Sequence, residues 1–318
     1  MAFENTKWTW MNGRYVAWGE SNVHLSAHAL HYGTGVYEGI RSYRTADGLA
    51  ILRLKEHIDR LFNSAACYDM AIPYTKQQLI DAVCGVIQRN GFVESYIRPL
   101  VYMGSESLGI RAQCPVEVAI MAWPNILHVS PENRMKGAKL SISRYRKIDN
   151  SMVPVSAKAC GQYINARLAT MDAINRGYDE ALLLNQQGEI AEAAVANLFT
   201  VRKDVLYTND QSSSILMGIT RDAVIQIANS LGYKVQVGTI TVHDLEEADE
   251  IFLTGTACEV LSITNLDGHK VGGGQPGTIT MQISDIYDRI KTGQVSAWEH
   301  WLHRMPIIQA TGDKAANH

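Results

Sequence analysis

No apolar stretch in these 318 residues approaches the roughly 20 needed to cross a bilayer, because each hydrophobic run is cut by a charge or a glycine. Such a chain is expected to be soluble. Neither sign of charge is in excess: 29 Lys and Arg stand against 32 Asp and Glu, a formal net charge of −3. That leaves no broad attraction for a nucleic-acid backbone or an anionic membrane. Cysteine is scarce. Cys67, Cys84, Cys114, Cys160 and Cys258 are odd in number, widely spaced and form no CxxC pair, which argues against a disulfide framework and a thiolate zinc site. The opening residues, MAFENTKWTW, have neither the apolar core of a secretory signal nor the Arg-rich character of a transit peptide. A reducing cytoplasm is the expected compartment. No GxSxG elbow and no GxGxxG fingerprint occur, which lowers the odds of a serine hydrolase or a Rossmann dehydrogenase.

What is present is a chain with 46% hydrophobic and 19% charged residues, long enough for two cores. WTWMNGRYVAW sets aromatic and β-branched residues on either side of Asn12-Gly13, which predicts an opening β-hairpin. Strands are expected from Val36 to Tyr43 and from Ala50 to Leu54, then a helix through KEHIDRLFNSAACYDM. A second helix from about Lys76 to Asn90 should close at Gly91, and SYIRPLVYMG and VEVAIMAW should add strands. In PNILHVSPENRMKG the apolar periodicity lapses, so a linker is expected there. Beyond it the pattern predicts strands near Lys139 to Tyr145, Glu180 to Leu184, Asn197 to Val201 and Glu250 to Leu253. Helices are expected near Tyr163 to Arg176, Thr220 to Ser230 and Gly277 to Thr292. The fold class is α+β, with a small domain over 1–124, an interdomain loop over 125–137 and a larger domain over 138–305. A small, polar tail over 306–318 is expected to be mobile.

Several segments carry chemistry. His24, His28 and His31 would share one face of a helix, but Gly33, Gly35 and Gly39 crowd the segment and no HExxH is present, so structural histidines are the better reading and no metal is expected. VGGGQPG, residues 271–277, lacks the Lys-Ser/Thr of a nucleotide P-loop and reads as a turn before the last helix. Lys158, in SAKACGQY, has only small neighbours. A lysine taken alone is usually a solvated surface charge, but one buried among small residues is what a Schiff-base enzyme needs. Glu192, in GEIAEAAVANLF, requires a cationic partner to justify burial. Gly218-Ile219-Thr220 starts a helix whose free N–H groups suit a phosphate, although a simple capped helix is at least as common. Thr254-Gly255-Thr256 interrupts a buried strand and exposes backbone donors. One lysine, one buried acid and two phosphate-type nests match a protonated pyridine bearing an aldehyde and a phosphate, which describes pyridoxal 5′-phosphate.

The ordered segments HALHYGTGVYEGIRSY, KEHIDRL, SYIRPL, AKACGQY, GEIAEAAVANLF, ILMGITRD and ADEIFLTGTACEV resemble the fold-type IV pyridoxal-phosphate enzymes, specifically the branched-chain amino acid aminotransferases, from about Trp8 to about Trp301. That resemblance implies a small N-terminal α/β domain, a larger C-terminal domain and the cofactor between them. It implies a homodimer or dimer-based assembly, and transamination of L-leucine, isoleucine and valine with 2-oxoglutarate. A D-amino acid aminotransferase or an aminodeoxychorismate lyase of the same fold type is the alternative. By position, Lys158 matches the Schiff-base lysine, Glu192 the partner of the pyridine nitrogen and Tyr163 the group near the phenolic oxygen. Arg60, Ile219, Thr220 and Thr256 match phosphate ligands. Tyr32, Tyr37, Gly39, Tyr96, Arg98 and Ala257 fall at substrate positions. Asn125 and His128 stand where the family often has tryptophan and tyrosine, and His128 is carried as a substrate-binding residue. Ala193 to Ala196 replace a glycine-rich, glutamate-containing stretch.

Overall fold

The computed structural model describes residues 3, 5–124 and 136–306. The architecture is α+β, in two compact units: residues 1–126, 159–161 and 290–318 make the first, and 127–158 and 162–289 the second. The expected division placed all residues from 138 to 305 in one domain. The compact units differ from it by giving 159–161 and the stretch from 290 onward to the first unit. Most of the expected linker, with Asn125 and His128, lies outside the described residues, as does the tail from 307.

The first unit opens on β1 (Trp8–Met11) and β2 (Arg14–Ala17), joined at Asn12 (φ 46°) and Gly13 (φ 89°), a turn whose two positive φ values are what Asn-Gly tolerates. A short helix α1 (His28–Tyr32) precedes β3 (Gly35–Tyr37), β4 (Ile40–Thr45) and β5 (Gly48–Leu52). Helices α2 (Leu54–Ala66) and α3 (Lys76–Asn90) follow, then β6 (Ser95–Met103) and β7 (Val116–Pro124). Helix α3 ends at Gly91 (φ 68°) as the sequence predicts, and it starts in a capping box between Thr75 and Gln78. Among the described residues the strands form an eight-stranded antiparallel sheet. Its order runs from the C-terminal strand Leu302–Met305 through β5, β4, β6, β7 and β1 to β2, with β3 also on β6.

Ile58 and Leu61 of α2 and Leu79, Val83, Val86 and Ile87 of α3 pack with Ile40, Ile51, Ile97, Val101, Val118 and Ile120 of the sheet, all fully buried. Each such side chain is worth roughly 1.5–3 kcal/mol when removed from water. Since Ile97 belongs to this core, the period-two alternation of β6 turns Tyr96 and Arg98 to the opposite face. The strand expected from Val36 to Tyr43 is broken at Glu38-Gly39, because the Glu38 side chain turns inward onto α2. The expected strand end at Leu54 is instead the first residue of α2.

The second unit runs β8 (Ala138–Arg146), α4 (Tyr163–Asn175), β9 (Glu180–Leu184), β10 (Ile190–Ala193), β11 (Asn197–Arg202) and β12 (Val205–Thr208). It continues with α5 (Ile219–Ser230), β13 (Lys234–Val237), α6 (Val242–Glu246), β14 (Glu250–Gly255), β15 (Glu259–Leu266), β16 (His269–Lys270) and α7 (Thr278–Lys291). Among the described residues the sheet order is β10-β9-β8-β15-β14-β11-β12-β13, with β16 on the edge of β15. The β8 pairings with β9 and β15 and the β12–β13 pairing are parallel. Phe199 and Phe252 face each other across β11 and β14 with ring centroids 4.9 Å apart. The glycine run of residues 271–277 is the expected turn. The last helix begins under the Glu250 carboxylate, which accepts from the N–H groups of Ile279 (2.9 Å) and Thr280 (2.8 Å) and from the Thr280 hydroxyl. Among the described residues no helix is long and apolar enough to cross a membrane.

At the start of β9, Glu180 is buried, and burial pushes its carboxyl up to about 7 despite the Ala181 N–H and the Thr170 hydroxyl, which oppose the shift. The native state therefore holds this proton more tightly than the unfolded chain. The Glu180 contribution to stability is complete below its unfolded pKa and is lost as pH rises through about 7. Glu180→Gln is expected to remove that decline and to gain on the order of 2 kcal/mol above pH 7. Urea unfolding at pH 5 and pH 8 checks this, and an unchanged pH slope in the variant counts against it.

Candidate active site

In the second unit, Lys158 closes the loop between β8 and α4, and Tyr163 is the first residue of α4. Lys158 Nζ donates to the Tyr163 hydroxyl at 2.9 Å, both residues being half-buried. A primary amine and a phenol in direct contact can pass a proton between them.

Glu192 lies on β10 and is 5% exposed. Its Oε1 is 2.7 Å from Lys147 Nζ. Its Oε2 accepts from Asn197 Nδ2 at 2.9 Å and from the Leu216 N–H at 3.2 Å. The sequence reading required a cation for this acid, and here Lys147 supplies it, just past the end of β8. Two residues beyond Leu216, Gly218 precedes α5, whose first turn holds Ile219 and Thr220 with their N–H groups ahead of the helical ladder. A Cβ on Gly218 would run into Asn197 Oδ1, so only glycine fits. Arg221, also buried, points away from the helix start, donating through Nε to Thr208 Oγ1 and through Nη2 to Asn209 O. Thr256 and Ala257 sit half-buried in the turn from β14 to β15. The neighbouring Gly255 has the Val195 carbonyl and the Ala196 side chain within contact of where its Cβ would be.

In the first unit, Arg98 lies with its guanidinium carbon 4.3 Å from the Tyr37 ring centre, 5.3 Å from that of Tyr96 and 5.7 Å from that of Trp123. Tyr96 and Trp123 are cross-strand partners on β6 and β7, with centroids 5.0 Å apart. Gly39 is pressed against the Tyr96 hydroxyl so closely that a Cβ would clash with it. A cation faced by three aromatic rings makes a wall that is apolar over most of its area and positive at one point. Tyr32, by contrast, ends α1 with its ring beside that of His28, at 4.5 Å between centroids. His28 is buried, its Nδ1 2.8 Å from Thr34 Oγ1 and its Nε2 3.1 Å from the Gly109 carbonyl. His31 Nε2 lies 3.0 Å from the Leu25 carbonyl.

Arg60 on α2 is held by Glu38, with Nε donating to Oε1 at 2.7 Å and Nη2 to Oε2 at 2.9 Å. His57 Nδ1 lies 2.6 Å from the same Oε2. Complete burial would push the Glu38 carboxyl up. The Arg60 and His57 charges and hydrogen bonds outweigh it and hold the group well below the usual carboxylate range.

The sequence reading thus named Lys158, Tyr163, Glu192, Ile219 and Thr220 in one unit and Tyr37, Gly39, Tyr96 and Arg98 in the other, and each set includes residues in mutual contact. It missed Lys147, Asn197, Trp123, Glu38 and His57. Of these, Asn197, Trp123, Glu38 and His57 stood inside quoted segments, where for Asn197 and Glu38 a polar residue between apolar ones was a signal; Lys147 stood outside them all. His128 lies outside the described residues.

The model of the amino-transferase class IV family matches residues 35–266, which span the Lys158, Glu192 and Gly218 segments: the chain belongs to that family. Within the class, the similarity is to enzymes for one group of substrates. A branched-chain-amino-acid aminotransferase of Pseudomonas aeruginosa is 38% identical over 293 residues, 92% of this chain and 95% of that protein. Among solved structures, a T.th. branched-chain amino acid aminotransferase complexed with N-(5′-phosphopyridoxyl)-L-glutamate is 42% identical, with a TM-score of 0.90 over 95% of this chain and 99% of that one. The Escherichia coli branched-chain amino acid aminotransferase is 36% identical, with a TM-score of 0.92 over 94% and 99%.

Proposed function

We propose that this chain is a pyridoxal-5′-phosphate-dependent aminotransferase that takes the amino group from L-leucine, L-isoleucine or L-valine and passes it to 2-oxoglutarate, giving L-glutamate. The observation that carries the reading is the Lys158–Tyr163 pair together with the buried, donor-caged Glu192 and the glycine that leads into α5. These residues fit the cofactor. The amine suits its aldehyde, the buried acid its ring nitrogen, and the first N–H groups of α5, ahead of the helical ladder, its phosphate. Lys158, Tyr163, Glu192, Ile219, Thr220 and Thr256 would hold it, and we assign Arg60 to the phosphate as well.

When bound, the cofactor supplies an electron sink for the pair of electrons left at the substrate Cα. Lys158 Nζ would hold the cofactor through its aldehyde and, as a free amine, would serve as the base that moves the proton of the substrate Cα. The Tyr163 hydroxyl, 2.9 Å from Nζ, keeps that amine oriented. Glu192 presents a carboxylate to the ring nitrogen and so favours its protonated form. Arg98 and its aromatic neighbours would accept a distal carboxylate at the cation and an aliphatic side chain on the rings, and Tyr32, Ala257 and His128 complete the assigned substrate residues.

A homodimer and a cytoplasmic location complete the proposal. The exposed Leu25, Leu30, Leu108 and Ile110 on the first unit support the former, and five widely spaced cysteines with no CxxC pair support the latter. The test is a half-reaction: single amino acids are added to the cofactor-loaded protein and the loss of cofactor absorbance is followed. Leucine, isoleucine, valine and glutamate are expected to react, and D-amino acids are not. Glu192→Gln is expected to keep the cofactor and slow the half-reaction roughly a hundredfold. Wild-type speed in that variant would remove the assigned role of the acid.

A further inference from the structure

We infer that Asn197 is a positioning residue that couples the two anchoring ends of the proposed cofactor site, the acid for the ring nitrogen and the turn for the phosphate. The inference rests on the functional reading above. Asn197 is the first residue of β11 and is 4% exposed. Both hydrogens of its amide are used: Nδ2 donates to Glu192 Oε2 at 2.9 Å and to the Leu216 carbonyl at 2.8 Å. Two acceptors, one of them a carboxylate, fix which way this amide points. Leu216 in turn donates its N–H to Glu192. Glu192, Asn197 and the Leu216 peptide therefore close a ring of hydrogen bonds with every member doubly held.

The remaining atom of the amide does a second job. Oδ1 lies where a Cβ on Gly218 would project, so Asn197 also sets how closely the chain may pass just before α5. The side chain is thus wedged between the acid and the residue that leads into Ile219 and Thr220. In a buried ring of this kind, no member can move without breaking a bond to another. A shift of the acid would be transmitted to the start of α5, and the reverse. Neither end of the site needs Asn197 to touch the cofactor for both to depend on it.

The test compares pyridoxal 5′-phosphate with pyridoxal, its phosphate-free form. The dissociation constant of pyridoxal divided by that of pyridoxal 5′-phosphate, each measured on the apo protein by equilibrium dialysis, is the ratio that reports what the phosphate end contributes. For Asn197→Ala, folded by circular dichroism, binding of both compounds should weaken and the ratio should fall roughly tenfold, the scale of losing a hydrogen bond to a charged group. Gly218→Ala should lower the same ratio, and Asn197→Ala placed on Gly218→Ala should cost less than the sum, because removing Oδ1 makes room for the new methyl. If Asn197→Ala does not fold, the isosteric Asn197→Asp, which replaces the donor with an acceptor, carries the same expectation. An unchanged ratio with weaker pyridoxal binding would show that Asn197 serves Glu192 alone and overturn the coupling, as would additivity in the double variant. Wild-type protein that bound neither compound would overturn the functional reading and this inference together.

Discussion

Lys158→Ala is expected to lower the single-turnover rate for leucine by roughly four orders of magnitude or more, since in the proposed reaction the same amine is both the attachment point and the proton carrier. The variant should still fold. Lys158 is half-buried and donates to the Tyr163 hydroxyl, and Tyr163 remains fixed in the first turn of α4 without it. Borohydride treatment of the wild-type protein with bound cofactor, followed by peptide mapping, should place the label on Lys158. A label on Lys147 would be the informative failure, because that lysine is already committed to Glu192 at 2.7 Å and reacts only if the ion pair opens. Tyr163→Phe is a milder relative of the same change, removing the acceptor of the amine and leaving the ring.

The second large effect is on stability. Glu38 has no exposed surface and neutralises Arg60 while holding His57, so Glu38→Gln leaves the half-buried Arg60 guanidinium without its bidentate partner. A loss of about 3–5 kcal/mol is expected at neutral pH. The sign with pH follows from the depressed carboxyl: the stabilisation is complete above the pKa of an unfolded glutamate, declines progressively as pH falls below it, and is gone once pH has passed through the lower native value. Urea midpoints at pH 7 and pH 3 should therefore converge for wild type and variant as the medium becomes acidic. Equal stability of the two proteins at pH 7 would mean that Arg60 finds another anion or water when Glu38 is removed.

Legibility of the sequence divides along the range of the interaction. The helices from Lys76 and from Tyr163 could be read because their signals are local: a glycine at a C-terminus, apolar residues at helical spacing. Lys158, Glu192 and Gly218 were legible for the same reason, as each stands inside a short segment whose composition is unusual by itself. Lys147 was not, since its meaning comes from Glu192, on a strand that its own sequence neighbourhood does not mention. The break at Glu38 was missed because one charged residue between the apolar Val36 and Ile40 was passed over; the pairing with Arg60 and His57 shows why the strand must yield. Short edge strands such as Lys234–Val237 and His269–Lys270 have too few residues for any period to register.

The glycine run before the last helix has a consequence for how this part of the chain can change length. A Cβ on Gly272 would run into the Asp249 carbonyl and one on Gly277 into the Glu250 side chain, whereas one on Gly273 would meet nothing within 4 Å. The two tight glycines act as fixed posts, and Gly273 is the open span between them. Because Glu250 gathers the first N–H groups of α7, the chain resumes the same register there whatever precedes it. Loops of different length in descendants of this sequence would accordingly grow or shrink at one point, with the strand before them and the helix after them left in place.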